Sequence, residues 1–110
     1  WYEWLNFAYS FGGGVMDTHH AADYGPITIN CPETVRATEY YSSLVRFSPP
    51  GTLDFTWDEQ LAALQAGHVA IAIVWSDEMS ALEDHAQSQV AGKLGYGVLP
   101  EFNDQSAPPS

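Results

Sequence analysis

The stretch that most constrains this chain is "GHVAIAIVWSDEM", Gly67 to Met79. Six of the seven residues from Val69 to Trp75 are aliphatic and the seventh is a tryptophan. Ser76, Asp77 and Glu78 follow with no spacer. A run this short and this rich in β-branched residues predicts a buried strand over 68–75 rather than a helix. The strand would end by presenting a large aromatic and two carboxylates. One reading keeps Trp75 in the core and makes Ser76 or Asp77 the cap of a further helix reaching about His85. The other delivers Trp75 to a binding cleft, because ligands of layered α/β proteins gather at the carboxyl ends of strands.

The flanking segments divide cleanly. Residues 1–11 predict a helix with Trp1, Trp4, Leu5 and Ala8 on one face. Gly12, Gly13 and Gly14 end it, since glycine accepts the left-handed conformation at a helix C-terminus. Residues 15–29 read as loop, punctuated by Gly25-Pro26. A second helix starts near Asn30, a candidate cap, with Pro32 and Glu33 in its first turn. Ala37, Tyr40, Tyr41, Leu44 and Phe47 continue it at helical spacing. "SPPG" at 48–51 is a hard break. Thr56 and Glu59 form a capping box for a helix over roughly 57–66, stopped by Gly67. "LGYGVLP" at 94–100 predicts a second strand ended by Pro100. The tail 101–110 is polar and proline-rich, as a loop would be. About four helices alternating with two or three short strands over residues 1–100 imply an α/β domain.

Charge narrows the function. Fourteen acidic residues stand against three basic ones, for a formal net charge of -11. Nucleic acid and anionic membrane surfaces both demand Lys or Arg neutralisation, so neither is an expected partner. Neutral or cationic ligands suit this surface. Cys31 is the sole cysteine, so no internal disulfide forms. No apolar run reaches the ~20 residues of a membrane helix. The sequence opens on "WYEW" and stops at "SAPPS"; both ends read as cut from something longer, so a missing secretion signal excludes nothing.

Few residues carry chemistry. An indole face stacks on the apolar face of a sugar, and carboxylates accept its hydroxyl hydrogen bonds, which makes Trp75, Ser76, Asp77 and Glu78 a candidate carbohydrate site. As a glycosidase pair, Asp77 and Glu78 would diverge by about 100° at a helix start and not face one bond. Asp17, His19, His20 and Asp23 have metal-capable side chains, but their spacing reads as a solvated loop. His68 and His85 stand alone. No phosphate loop, nucleophile elbow or zinc-binding helix motif occurs. No cofactor or metal is expected, and catalysis has little support.

The order of segments resembles one family. "W-x-x-W-L-x-F-x-Y-S-x-G-G-G", "ITINCPETVRATEYYSSLV", "SPPG", "TWDEQLAALQAGHVAIAIVWSD" and "SQVAGKLGYGVLP" are similar to the extracellular solute-binding proteins of ABC sugar importers, leaning toward sugar and polyol binders. The resemblance implies part of one lobe of a two-lobed α/β protein, with ligand held between the lobes and no enzymatic activity. It implies that Trp75–Glu78 line the cleft, as does the helix end at Phe11, Gly12 and Gly13, with Trp4 near the sugar. The implied partners are the importer's membrane subunits, and the implied location is periplasmic or extracellular and membrane-tethered. The other lobe, the hinge strands and the C-terminal helices would lie outside this sequence. A rival reading is an interaction domain that has lost ligand binding and associates with itself, as a homodimer, through apolar surface and open strand edges.

Overall fold

The computed structural model describes residues 2–16 and 25–99. Among them are four α-helices, α1 (Tyr2–Ser10), α2 (Pro32–Ser43), α3 (Trp57–Gln65) and α4 (Met79–Leu82), with 3-10 turns at Leu44–Phe47, Thr52–Asp54 and Ser76–Glu78. They fall into two compact units. One contains α1 and α2, and the other spans Val45–Val98.

In the first unit α1 packs against α2. Their small residues Ala8 and Ala37 are fully buried, which lets helices approach closely. Around them aromatics interlock. The Phe7 ring lies 5.0 Å from Tyr41 and 6.0 Å from Tyr40, and Phe11 lies 5.6 Å from Tyr40. The triple glycine ends α1 as expected. Gly12 has φ +82°, the Gly12 amide donates to the Tyr9 carbonyl and the Gly13 amide to that of Ala8. Those paired bonds satisfy carbonyls that the helix end would leave open. The backbone then turns onto α2: the Gly14 amide donates to Thr34 Oγ1 at 2.9 Å, and the Thr34 hydroxyl donates back to the Gly14 carbonyl at 3.2 Å. Thr34 is only 2% exposed. Pro32 opens α2 as its spacing predicts, but the cap position belongs to Cys31, not Asn30, and no side chain makes a capping bond there. Proline at the first position removes one of the amides a cap would serve.

In the second unit α3 starts on the expected capping box. The Thr56 amide donates to the Glu59 carboxylate at 2.8 Å, and the Thr56 hydroxyl bonds the same carboxylate. It ends at Gly67, φ +72°, where Gly67 and His68 amides donate to the carbonyls of Leu64 and Ala63. Leu64, Ala63, Leu82 and Ala91 form the buried core of this unit. Burying Leu82 completely is worth roughly 2 kcal/mol. Gln65 links the parts: its Nε2 donates to the Ala81 carbonyl, and its own carbonyl accepts from the Gln89 amide. Beyond α4, Glu83 accepts from the Gly92 amide at 2.7 Å and from the Tyr96 hydroxyl at 2.5 Å.

The expected strands do not form. Among the described residues the only ladder element is an isolated antiparallel bridge between Met16 and Ile27. Residues 68–75 and 94–99 carry neither helix nor strand, and Pro100 lies outside the described residues, as do Trp1, the 101–110 tail and the Asp17, His19, His20 and Asp23 cluster. A strand exists only when a neighbouring backbone takes up its amides and carbonyls. Here the Ile73 carbonyl is instead met by a side chain, Gln60 Nε2, at 2.6 Å. The aliphatic run is also not buried throughout, since Ile71 is 89% exposed. A run buried on both faces needs layers on both sides. The α/β expectation is therefore met in its helices and corrected in its strands.

Candidate functional site

Two element starts position the principal candidate. The capping box fixes Trp57 as the first residue of α3. The Gln60 bond to Ile73 ties the aliphatic run to the same helix. Two residues further on, Trp75 stands in extended conformation (φ −75°, ψ 148°) at the cap position of the Ser76–Glu78 turn. The Glu78 amide closes that turn by donating to the Trp75 carbonyl at 3.1 Å. The two indoles meet there, with ring centroids 5.8 Å apart and planes inclined by 34°. Trp75 remains 51% exposed and Trp57 59%. The core reading of Trp75 is thereby overturned: the ring sits on the surface.

Ser76 and Asp77 are exposed beside it, and Glu78 is half-buried. The capping role expected of Ser76 or Asp77 is not filled by either side chain. The backbone makes a 3-10 turn and then a single α-turn, ending at Leu82 rather than near His85, without a side-chain cap bond. Ser80 Oγ donates to the Asp77 carbonyl at 3.4 Å. Burial pushes the Glu78 carboxyl above its usual range, and the charges of Asp77 and Asp58 push it the same way. Carboxylates gathered at one turn form an acceptor-rich rim suited to hydroxyl or ammonium donors. No group of three His, Cys, Asp or Glu among the described residues could hold a metal ion.

The remaining candidates lie in the first unit. Trp4 Nε1 donates to Thr38 Oγ1 at 2.9 Å, and that hydroxyl donates to the Thr34 carbonyl at 2.8 Å, so the indole is tethered to α2. It borders an open groove of about 550 Å3 with Ile29, Val35, Thr38, Glu39 and Ser42. Phe11 stacks on Tyr40, and Gly12 is exposed. Gly13 is wedged against Thr34: a Cβ there would lie 2.3 Å from Thr34 Oγ1 and 2.7 Å from its backbone nitrogen. Tyr41 donates to Glu3 at 3.2 Å, and burial together with the Glu3 carboxylate raises its phenol pKa.

The sequence did not single out Trp57 or Asp58, which the structure brings beside Trp75 and Glu78. "TWDE" reads as a helix start, and the contact between two helix-turn entrances is a tertiary fact. The available signal was a bulky aromatic at the first position of α3, where nothing in the helix requires one.

No family model matches the sequence. Over 77 residues, 68% of this chain, it is 35% identical to a mannitol-binding protein of Pseudomonas aeruginosa, of which that region is 18%. The fold superposes on a crystal structure of an ABC transporter solute-binding protein from Agrobacterium radiobacter K84 in complex with ribitol, with a TM-score of 0.80 and 28% identity. That match covers 98% of this chain and 26% of the other. The chain thus spans about a quarter or less of the length of these relatives. No helix among the described residues is long and apolar enough to cross a membrane. With sequence and fold pointing the same way, the chain belongs with the solute-binding proteins of ABC importers.

Proposed function

We propose that the protein supplies part of the wall of a cleft that recognises a sugar or polyol for an ABC importer, by stacking on Trp75 and hydrogen bonding to Ser76, Asp77 and Glu78. The observation that carries this reading is the exposed Trp75 indole, held at the start of a turn whose next residues are polar acceptors. A half-exposed indole offers an apolar face to the C–H groups of a sugar ring or an acyclic polyol, and the acidic rim accepts hydroxyls. Both relatives are solute-binding proteins, one named for mannitol and one crystallised with ribitol, which favours polyols as ligands. Trp4, Phe11, Gly12 and Gly13, which the family resemblance also implies as contacts, lie in the other compact unit and are not part of this reading. The activity is binding without turnover, at a periplasmic or extracellular, membrane-tethered location, with the importer's membrane subunits as partners.

Replacing Trp75 with Ala should raise the Kd for mannitol or ribitol by about tenfold or more, equivalent to about 1.4 kcal/mol. Calorimetry or NMR titration reads it, and an unchanged Kd removes Trp75 as a contact.

A second reading is an interaction domain that does not bind ligand. It is favoured by the aliphatic segments that lack a ladder partner among the described residues, where Ile71 is 89% and Val98 96% exposed. Such apolar extended backbone invites association with a second copy. Sedimentation showing a monomer at high concentration counts against it.

A further inference from the structure

We infer that Trp57 is a second ligand-contacting residue, and that Trp57 with Trp75 forms a two-plane aromatic subsite selective for an acyclic polyol over a pyranose. The inference rests on the proposed polyol-binding role and extends it to a residue and a ligand shape.

The geometry supplies the argument. The Trp57 and Trp75 ring centroids lie 5.8 Å apart, and each residue keeps more than half of its surface open. Mutual packing therefore accounts for only part of their apolar area. Helix formation does not require Trp57 where it stands. Asp58 and Glu59 already place negative charge in the first turn of α3, and the box at Thr56 already closes its start. Two large aromatics exposed side by side make a contiguous apolar surface, which is where ligands bind more often than at scattered single residues.

The 34° between the planes favours one ligand shape over another. A chair pyranose holds its C–H groups in fixed directions and matches two planes inclined by 34° less closely than it matches one. An acyclic polyol rotates about each C–C bond. It can set C–H groups on both planes while its hydroxyls turn toward Asp58, Asp77 and Glu78. Trp57 is also well placed to be pre-organised: its backbone is fixed by the Thr56–Glu59 box, so little conformational freedom remains to be lost on binding.

The test compares mannitol and ribitol with methyl α-glucopyranoside, titrated into the full protein and into Trp57→Ala, Trp57→Phe and Trp75→Ala variants. Far-UV circular dichroism checks that each variant keeps its helices. The expected result is an increase of about tenfold in Kd for both polyols in Trp57→Ala and about threefold in Trp57→Phe, with the pyranoside Kd unchanged. Polyol Kd values within about twofold of the parent in Trp57→Ala, alongside weakened binding in Trp75→Ala, overturn the inference and leave the proposed function standing. Equal weakening for pyranoside and polyols overturns the selectivity. No binding of any of the three by the parent protein overturns the proposed function, and this inference with it.

Discussion

The two units use their aromatic residues in opposite ways. In the helix pair of α1 and α2, Phe7, Phe11, Tyr40 and Tyr41 turn toward one another, and Trp4 is tied to Thr38. In the unit of α3 and α4, the Trp57 and Trp75 ring centroids lie 5.8 Å apart and both side chains stay more than half exposed. The first arrangement satisfies its own groups; the second leaves a surface that something else can complete. The comparison teaches that an aromatic near a helix end is weighed as a ligand contact by how much of it stays open to solvent: Trp57 and Trp75 are exposed, Trp4 and Phe11 only partly so. By that standard the Trp75 cluster outranks the Trp4 and Phe11–Gly13 cluster as the recognition surface.

If that division is right, substitutions in the helix pair act on stability and substitutions at the indole pair act on binding. The largest effect should come from Gly13→Ala. A methyl group would collide with both Thr34 Oγ1 and Thr34 backbone nitrogen, the second of which cannot rotate away. Overpacking of this kind costs about 3 kcal/mol, read as a lower denaturation midpoint. Gly97→Ala, with nothing near its added carbon, serves as the control and should move it little. An equally small effect at Gly13 would break the view that this glycine is chosen for packing. Next is Thr34→Val, which keeps the shape but strands the buried Gly14 amide. It should cost about 2 kcal/mol while leaving ligand affinity alone. Weakened polyol binding in a folded Thr34→Val protein would instead draw the α2 groove into the site.

Trp75→Ala is the converse: affinity falls by about tenfold while the folding stability stays within about 0.5 kcal/mol of the parent. The smallest effect concerns acid. The Thr56 hydroxyl and amide hold the Glu59 carboxylate below its ordinary value of 4.5. A group with a lowered folded pKa contributes stability above its unfolded pKa and loses it as pH falls through the folded value. The stability difference between the parent and Glu59→Gln should therefore be full at neutral pH and should shrink below about pH 4. A difference independent of pH would mean that the box acts through shape and not charge.

Local chemistry made much of the fold legible in advance. The stops at Gly12 and Gly67, the proline at the head of α2 and the Thr56–Glu59 box are decided within a few residues of themselves. Their signals survive in the sequence. The strands were not legible, because β-branched composition reports a preference for extended backbone and says nothing about a partner for it. The run ending in Trp75 has that preference and no ladder among the described residues. The candidate site was legible only in part. Trp75 announces itself as an aromatic delivered at the end of an aliphatic run. Trp57 looks like part of a helix start until the fold brings it to within 5.8 Å of Trp75. The capping reading of Ser76 and Asp77 failed because the turn is closed through backbone bonds alone.

The most direct test of the central claim is a nitrogen–proton NMR titration of the protein with ribitol and mannitol at high concentration, following the indole resonances of its four tryptophans. The account predicts saturable movement of the Trp75 indole, with Trp57 moving on the same isotherm and Trp4 moving less. Saturable shifts confined to Trp4, or no movement of any indole, would contradict it.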